Sequence, residues 1–175
     1  IVTKAILEGT LASTEVVTTK GFRDVLEIGR HLRLDMYDLN KDKPIAIVPR
    51  DMRFEVDERM APDGTVLTAL DATSLASAIE ALKGTSAQAI AVSFLHSYAN
   101  PAHEIETRNA LQAAFPDLSI SVSSEICPKI PELERTSAFN LNEATHPGIT
   151  GYVELLSQRN SDISPQSQML PMQSH

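Results

Sequence analysis

The stretch from His96 to Glu104 reads His-Ser-Tyr-Ala-Asn-Pro-Ala-His-Glu and puts two imidazoles, a phenol and a carboxylate in one short segment. It follows a continuous apolar run, Ala87 to Leu95, and leads into an amphipathic pattern. Open α/β sheets carry their functional loops at such strand-to-helix junctions. Two imidazoles seven residues apart across a loop could converge on a divalent metal, with Glu104 or a distant Asp completing the shell. The same residues also suit a structural use, with His96 closing the strand end and His103 and Glu104 on the first helical turn. Spacing alone leaves both readings open.

A second group is Glu125 followed by Pro131-Glu132-Leu133-Glu134-Arg135-Thr136-Ser137. Glu and Arg near a helix start suit the helix dipole, and the hydroxyls suit capping. The sharper alternative sends Arg135 into an inter-domain cleft, where a planar guanidinium matches a carboxylate or phosphate. Arg23, Asp24, Glu27 and Arg30 have the three- and four-residue spacing of an ion-paired, solvated helix face. Cys127, the single cysteine, lies between Ile126 and Pro128 and reads as a packed thiol rather than a nucleophile.

Several chemistries are missing from the sequence. It contains no GxGxxG and no GxxxxGK followed by Ser or Thr, and its seven glycines are dispersed at turns. No GxSxG elbow is present. A net charge of -8 disfavours nucleic-acid binding, which needs clustered Lys and Arg; the densest positive group, Arg30, His31 and Arg33, reads as a solvated helix end. The apolar runs fall far short of the roughly 20 residues that span a bilayer, so no membrane association is expected. The opening Ile1-Val2-Thr3-Lys4 has neither an initiator Met nor a signal-peptide pattern. One cysteine in 175 residues excludes an intrachain disulfide and fits a reducing compartment, so a cytoplasmic location is expected.

The elements that must position these groups follow from periodicity. Residues 1–8 read as a helix end closed by Gly9, and Glu15 to Thr19 as a buried strand. Phe22 to Gly29 has a helical stripe. Ile45 to Val48 and Arg53 to Val56 look extended. Asp63-Gly64 marks a tight turn, with Thr65 to Thr68 completing a hairpin. Asp71 to Leu82 is an amphipathic helix capped by Asp71 or Thr73 and ended by Gly84. Ala87 to Leu95 reads as an interior strand, and residues 101–115 as a helix begun at Pro101 and stopped by Pro116. Leu118 to Ser123 is a further strand. This βαβ rhythm over 65–123 predicts an α/β fold with a mixed, largely parallel sheet. Residues 131–158 are helical in tendency, with an interruption expected at Pro147-Gly148, and 157–168 turn polar like a linker.

Six ordered blocks carry a resemblance to a known family: VTTKGFRDVLEIGR (17–30), YDL (37–39), VPRDMRFEVDERM (48–60), LHSYANPAHE (95–104), SSEICPKIPELERTS (123–137) and MQS (172–174). In order and over nearly the whole chain, they resemble the N-terminal region of the hydantoinase/oxoprolinase family, of the hydantoinase A or 5-oxoprolinase type. The resemblance implies a partial actin-like ATPase (ribonuclease H-like) domain. It also implies ATP-dependent opening of small cyclic amides such as 5-oxoproline or hydantoins, or carboxylation of ketones in relatives, with a second subunit of hydantoinase B type.

The phosphate-binding hairpin of that family, Asp-x-Gly-Gly-Thr, does not occur in this sequence. The expectation is therefore a family-type α/β domain over 1–156, truncated at its N-terminus, a linker over 157–168 and the start of a following domain at 169–175. ATP and Mg belong to the parent enzyme, and this chain alone is expected to bind neither tightly and to be inactive. Missing parts of the same polypeptide become expected partners. Loss of the first hairpin strands would also expose an edge or apolar face and favour self-association. The segment 138–152 departs from the family pattern, although Asn142 and Tyr152 still align with it. For the parent, the resemblance gives more weight to His96 and His103 as metal or substrate contacts. Glu104, Arg135 and Tyr98 are the corresponding cleft candidates. A degenerate, non-catalytic partner-binding module is the competing expectation.

Overall fold

The computed structural model describes residues 2–9, 11–30, 37–38, 40, 46–127, 130 and 132–163. Helix α1 (Val2–Glu8) is followed by β1 (Thr14–Thr19), α2 (Val25–Ile28), a 3-10 turn (Arg50–Met52) and β2 (Arg53–Val56). A hairpin of β3 (Arg59–Met60) and β4 (Val66–Thr68) leads to α3 (Ala72–Lys83). The chain then runs through β5 (Ala89–Ser93), α4 (Ala102–Ala114), β6 (Ser119–Val122), α5 (Ser123–Ile126) and α6 (Glu132–Ile163).

The sheet has the order β2-β1-β5-β6, and every pairing in it is parallel. Strands buried on both faces have continuous apolar or β-branched sequences, as in Thr14–Thr19 and Ala89–Ser93, whose residues are all buried. The period-two alternation of a strand splits the core into two layers. Val17, Ile90 and Val92 pack with Leu75, Ala78, Leu82 and Leu111 from α3 and α4 on one face. Val16 and Ala91 pack with Phe139 of α6 on the other. Chain direction accounts for the layers: right-handed parallel crossovers put helices on opposite faces when the chain moves in opposite directions along the sheet.

The mixed α/β fold with a mainly parallel sheet, expected for an actin-like ATPase-type domain, is present. Several local expectations are corrected. The strand at 65–68 is not part of the parallel sheet, because β4 pairs antiparallel with β3 in a separate ribbon whose Val66 and Leu67 are exposed. The crossover into β5 therefore starts from β2, with the hairpin inserted on the way. Residues 46–48 form no strand and bend at 47–48, although Val48 is fully buried; Ile45 lies outside the described residues. The stripe of 22–29 yields only the single turn of α2, closed by Gly29 at φ 57°.

Helix α6 runs unbroken through Pro147 and on through residues 157–163, where a linker was expected. Its buried residues Phe139, Asn140, Glu143 and Ala144 hold the helix against the sheet before Pro147 is reached. Beyond Thr145 the described side chains of α6 are exposed or half-buried. Residues 164–175, with the MQS block, lie outside the described residues, as do His31, Arg33, Tyr-Asp-Leu residue Leu39 and Pro131.

Candidate functional site

All four sheet strands run the same way, so their C-terminal ends open on one side. From β1 the chain moves to β2 on one flank, and it later places β5 on the other flank of β1. The gap outside the ends of β1 and β5 is thus a topological switch point, where open α/β sheets bind ligands. The His96–Glu104 segment and the run from Glu132 to Ser137 both return to it.

Phe94 is held from two sides. Its amide donates to Glu104 Oε1 at 2.9 Å, and its carbonyl accepts from Arg135 Nη2 at 2.7 Å. Glu104 is fully buried and also accepts from the Ser123 hydroxyl at 2.7 Å and the Ser124 amide at 2.9 Å. Arg135 is fully buried too, and its guanidinium also binds the Ser97 hydroxyl and the Glu132 carboxylate. Ser97 in turn lies 3.2 Å from the Ser123 hydroxyl. A buried charge is tolerable when it is paired and hydrogen-bonded, and both ends of this network meet that condition. Arg135 Nε has no hydrogen-bond partner among the described residues.

His103 faces a different partner. Its Nδ1 is 2.8 Å from Glu58 Oε2, with both side chains buried. Glu58 accepts the Thr19 hydroxyl on its other oxygen, and that hydroxyl accepts the Leu95 amide at 3.0 Å. This chain of bonds ties the end of β1, the turn after β2 and the first turn of α4 together. It spans segments that are far apart in sequence, so spacing around His103 could not reveal Glu58 or Thr19. The available signal was an acidic residue just past a parallel strand, in the VPRDMRFEVDERM block.

His96 stands apart from that chain. Among the described residues it is the only non-glycine with positive φ, at 58°, and its carbonyl closes a turn with the Ala99 amide at 2.9 Å. A β-carbon disfavours that conformation, so it marks stored strain. The Tyr98 hydroxyl lies 3.4 Å from His96 Nδ1, and the rings meet edge to face at 5.9 Å. The Arg135 guanidinium sits 5.9 Å from the Tyr98 ring centre.

Glu132, part of the second cluster in the sequence but not among its cleft candidates, joins this group. Burial raises its carboxyl above the ordinary 4.5, while the Arg135 guanidinium, and more weakly His96, pull it back down. Thr18, Phe22, Leu26, Leu95, Glu132 and Thr136 line a crevice at this point, narrow enough to admit about one water. A carboxyl shifted by desolvation beside a charged partner in a crevice is a functional-site candidate, and structural ion pairs shift carboxyls in the same way.

The structure thus brings His96, Tyr98, Arg135 and Glu104 around one loop, with His103 turned to Glu58. Among the described residues no cluster of three or more His, Cys, Asp or Glu could hold a metal ion. A magnesium nucleotide needs solvent-facing oxygen ligands and amides bunched by glycines. Here Glu58 and Glu104 are engaged by internal donors, and the glycines stand singly. The described residues of this chain do not by themselves fit that group.

Residues 1–115 match the family described as the hydantoinase/oxoprolinase N-terminal region. The chain belongs to that family. It is 30% identical over 164 residues to the caprolactamase alpha subunit of Pseudomonas jessenii, covering 93% of this chain and 24% of the relative. Against 5-oxoprolinase of Saccharomyces cerevisiae the identity is 28%, covering 90% of this chain and 14% of that protein. The acetophenone carboxylase gamma subunit of Aromatoleum aromaticum is 30% identical, covering 69% of this chain and 18% of the subunit.

A crystal structure of ATP-dependent caprolactamase from Pseudomonas jessenii superposes with a TM-score of 0.88 at 29% identity. It covers 97% of this chain and 24% of that one. This chain therefore spans about a quarter or less of each of these proteins. The relatives include cyclic amide hydrolases and a ketone carboxylase, and two of them are named as subunits of larger assemblies. Among the described residues no helix is long and apolar enough to cross a membrane.

Proposed function

We propose that this chain is the switch-point module of an ATP-dependent cyclic amide hydrolase of the 5-oxoprolinase or hydantoinase type. The observation that carries the reading is the convergence of two family blocks, LHSYANPAHE and SSEICPKIPELERTS, on the single buried network around Phe94. Sequence blocks separated along the chain gain a common purpose when they build one site. The module works with the rest of a longer polypeptide and a partner subunit of hydantoinase B type, in the cytoplasm, on a small cyclic amide. ATP and Mg are supplied with phosphate-binding segments that this chain's described residues do not provide. The working domain extends through α6 to Ile163.

In this reading Arg135 and Glu104 shape the cleft from beneath, and Tyr98 and His96 face the ligand. His103 holds the frame through Glu58. The exposed apolar side chains Leu7, Val66, Leu67, Tyr152 and Leu155 are surfaces for the remainder of the assembly, or for self-association when this chain is alone. Light scattering of the isolated chain at rising concentration tests that directly, and a strictly monomeric species would contradict it.

The function is tested by supplying the complete polypeptide and its partner subunit with Mg-ATP. Caprolactam, hydantoin and 5-oxoproline are offered in turn, and phosphate release is followed. Ring opening coupled to ATP cleavage on any of them supports the proposal. A specific observation, the acetophenone carboxylase gamma subunit among the relatives, favours ketone carboxylation as the second reading. ATP- and bicarbonate-dependent carboxylation of acetone or acetophenone, with no lactam activity, would move the assignment there. Isothermal titration of Mg-ATP into the isolated chain should give no heat.

A further inference from the structure

We propose that Arg135 and Glu104 are positioning residues that clamp the two polar groups of Phe94 so that His96 stands at the switch point as a ligand-contacting hydrogen-bond donor, directed at an amide carbonyl oxygen. This rests on the cyclic amide reading for the identity of the ligand and on geometry for the clamp. Glu104 takes the Phe94 amide and Arg135 takes its carbonyl, so the two peptide units flanking the Phe94 α-carbon are each fixed by a buried charged side chain. Arg135 and Ser123 both hold the hydroxyl of Ser97, just past His96. Of the two residues between these anchors, Leu95 and His96, it is His96 that occupies the left-handed region, at φ 58°.

A turn needed only for its shape is best served there by glycine, because a β-carbon opposes that conformation. A histidine in its place points to a use for the side chain. The Tyr98 hydroxyl meets Nδ1, and if it donates there the imidazole proton sits on Nε2, which has no hydrogen bond among the described residues. That nitrogen is then a donor on a half-buried ring. The nearby Glu132 carboxyl and the partnered Arg135 guanidinium leave little net positive charge to attract a phosphate. A neutral carbonyl oxygen is the acceptor that this setting favours.

Two measurements test the proposal. In the first, nitrogen-labelled histidine spectra of this chain report the tautomer of the His96 ring, and need no turnover. The wild-type ring should be held with Nε2 protonated, whereas Arg135→Lys, Glu104→Gln and the milder Ser97→Ala should populate both tautomers. Ser97→Ala keeps this arm decisive if the buried charge variants do not fold. A wild-type ring that averages both tautomers equally, or a ring unchanged in folded Ser97→Ala, overturns the clamp whatever the substrate is.

In the second, His96→Gly is made in the complete polypeptide with its partner subunit. Its melting temperature should match or exceed the parent's, while kcat/KM for the cyclic amide falls about 100-fold, the size expected for losing one donor to a reacting oxygen. The KM for ATP should stay within about twofold. Retained kcat/KM overturns the ligand contact, and a raised KM for ATP with unchanged lactam kinetics overturns the carbonyl assignment. Absence of activity on every cyclic amide would count against the proposed function, and the ring spectra would still decide the clamp.

Discussion

Glu104 reaches back from the first turn of α4 to accept the amide of Phe94 at 2.9 Å, and it does so from a fully buried position. Its two oxygens receive three donors in all: the Phe94 amide, the Ser123 hydroxyl and the Ser124 amide. Glutamine at this position must turn an NH2 group toward one of those donors. A buried donor left without an acceptor costs about 1–3 kcal/mol. Glu104→Gln should therefore lower the free energy of unfolding by that amount, read from the midpoint of a urea titration at unchanged slope.

Glu15 gives a pH signature. It is 1% exposed, and its Oε2 has no hydrogen-bond partner among the described residues. Burial raises its pKa above the ordinary 4.5, opposed by a side-chain hydrogen bond with Thr85. The folded chain therefore binds this proton more tightly than the unfolded chain does. Stability falls as pH climbs from 4.5 through the raised value, and the full cost is present above it. Glu15→Gln should be more stable than the parent at pH 7, and the gap should close below pH 4.5. Thermal melts across that range check it, and a gap that widens on acidification would contradict the assignment.

Asp71 caps α3, its side chain accepting from the Ser74 amide at 2.7 Å. Replacing such a cap by alanine costs about 1 kcal/mol. Asp71→Ala should show that loss in thermal unfolding while the far-ultraviolet dichroism keeps its shape.

Gly148 and Gly151 lie inside α6, are exposed, and a β-carbon on either would meet nothing within 4 Å. Glycine in a helix interior costs about 0.5–1 kcal/mol relative to alanine. Gly148→Ala and Gly151→Ala should each stabilise the chain by roughly that much. Denaturant midpoints that fail to rise would mean that the second half of α6 adds nothing to the cooperative fold.

Phe139 is fully buried between α6 and the sheet, against Val16 and Ala91. Phe139→Ala should cost about 3–5 kcal/mol through lost burial and the cavity left behind. A loss under about 1 kcal/mol would show that α6 is not packed on the sheet in solution.

The sequence by itself determined the parallel αβ core, because that information is local. A short apolar run such as Ala87–Leu95, bounded by turn signals, suits an interior strand. The stripe and cap of Asp71–Leu82, and the Pro at each end of 101–115, mark helices wherever they are placed. It also marked the loop His96–Glu104 and the run Glu132–Ser137 as chemically loaded, through residue types and through family resemblance. Those signals need no knowledge of neighbours across the fold.

Only the tertiary structure decided which partners the loaded residues meet. Glu58 and Thr19 meet His103 from segments distant in sequence, so the two imidazoles that spacing paired have separate partners. Glu104 became an internal acceptor and Arg135 a strut, since each is buried and must satisfy its charge on whatever groups the fold brings near. Helix α6 likewise runs through Pro147, where a local rule expected a break. Secondary structure is written in the period of a few adjacent residues, whereas a site is made by contacts between distant ones, and those exist only once the chain has closed around its core.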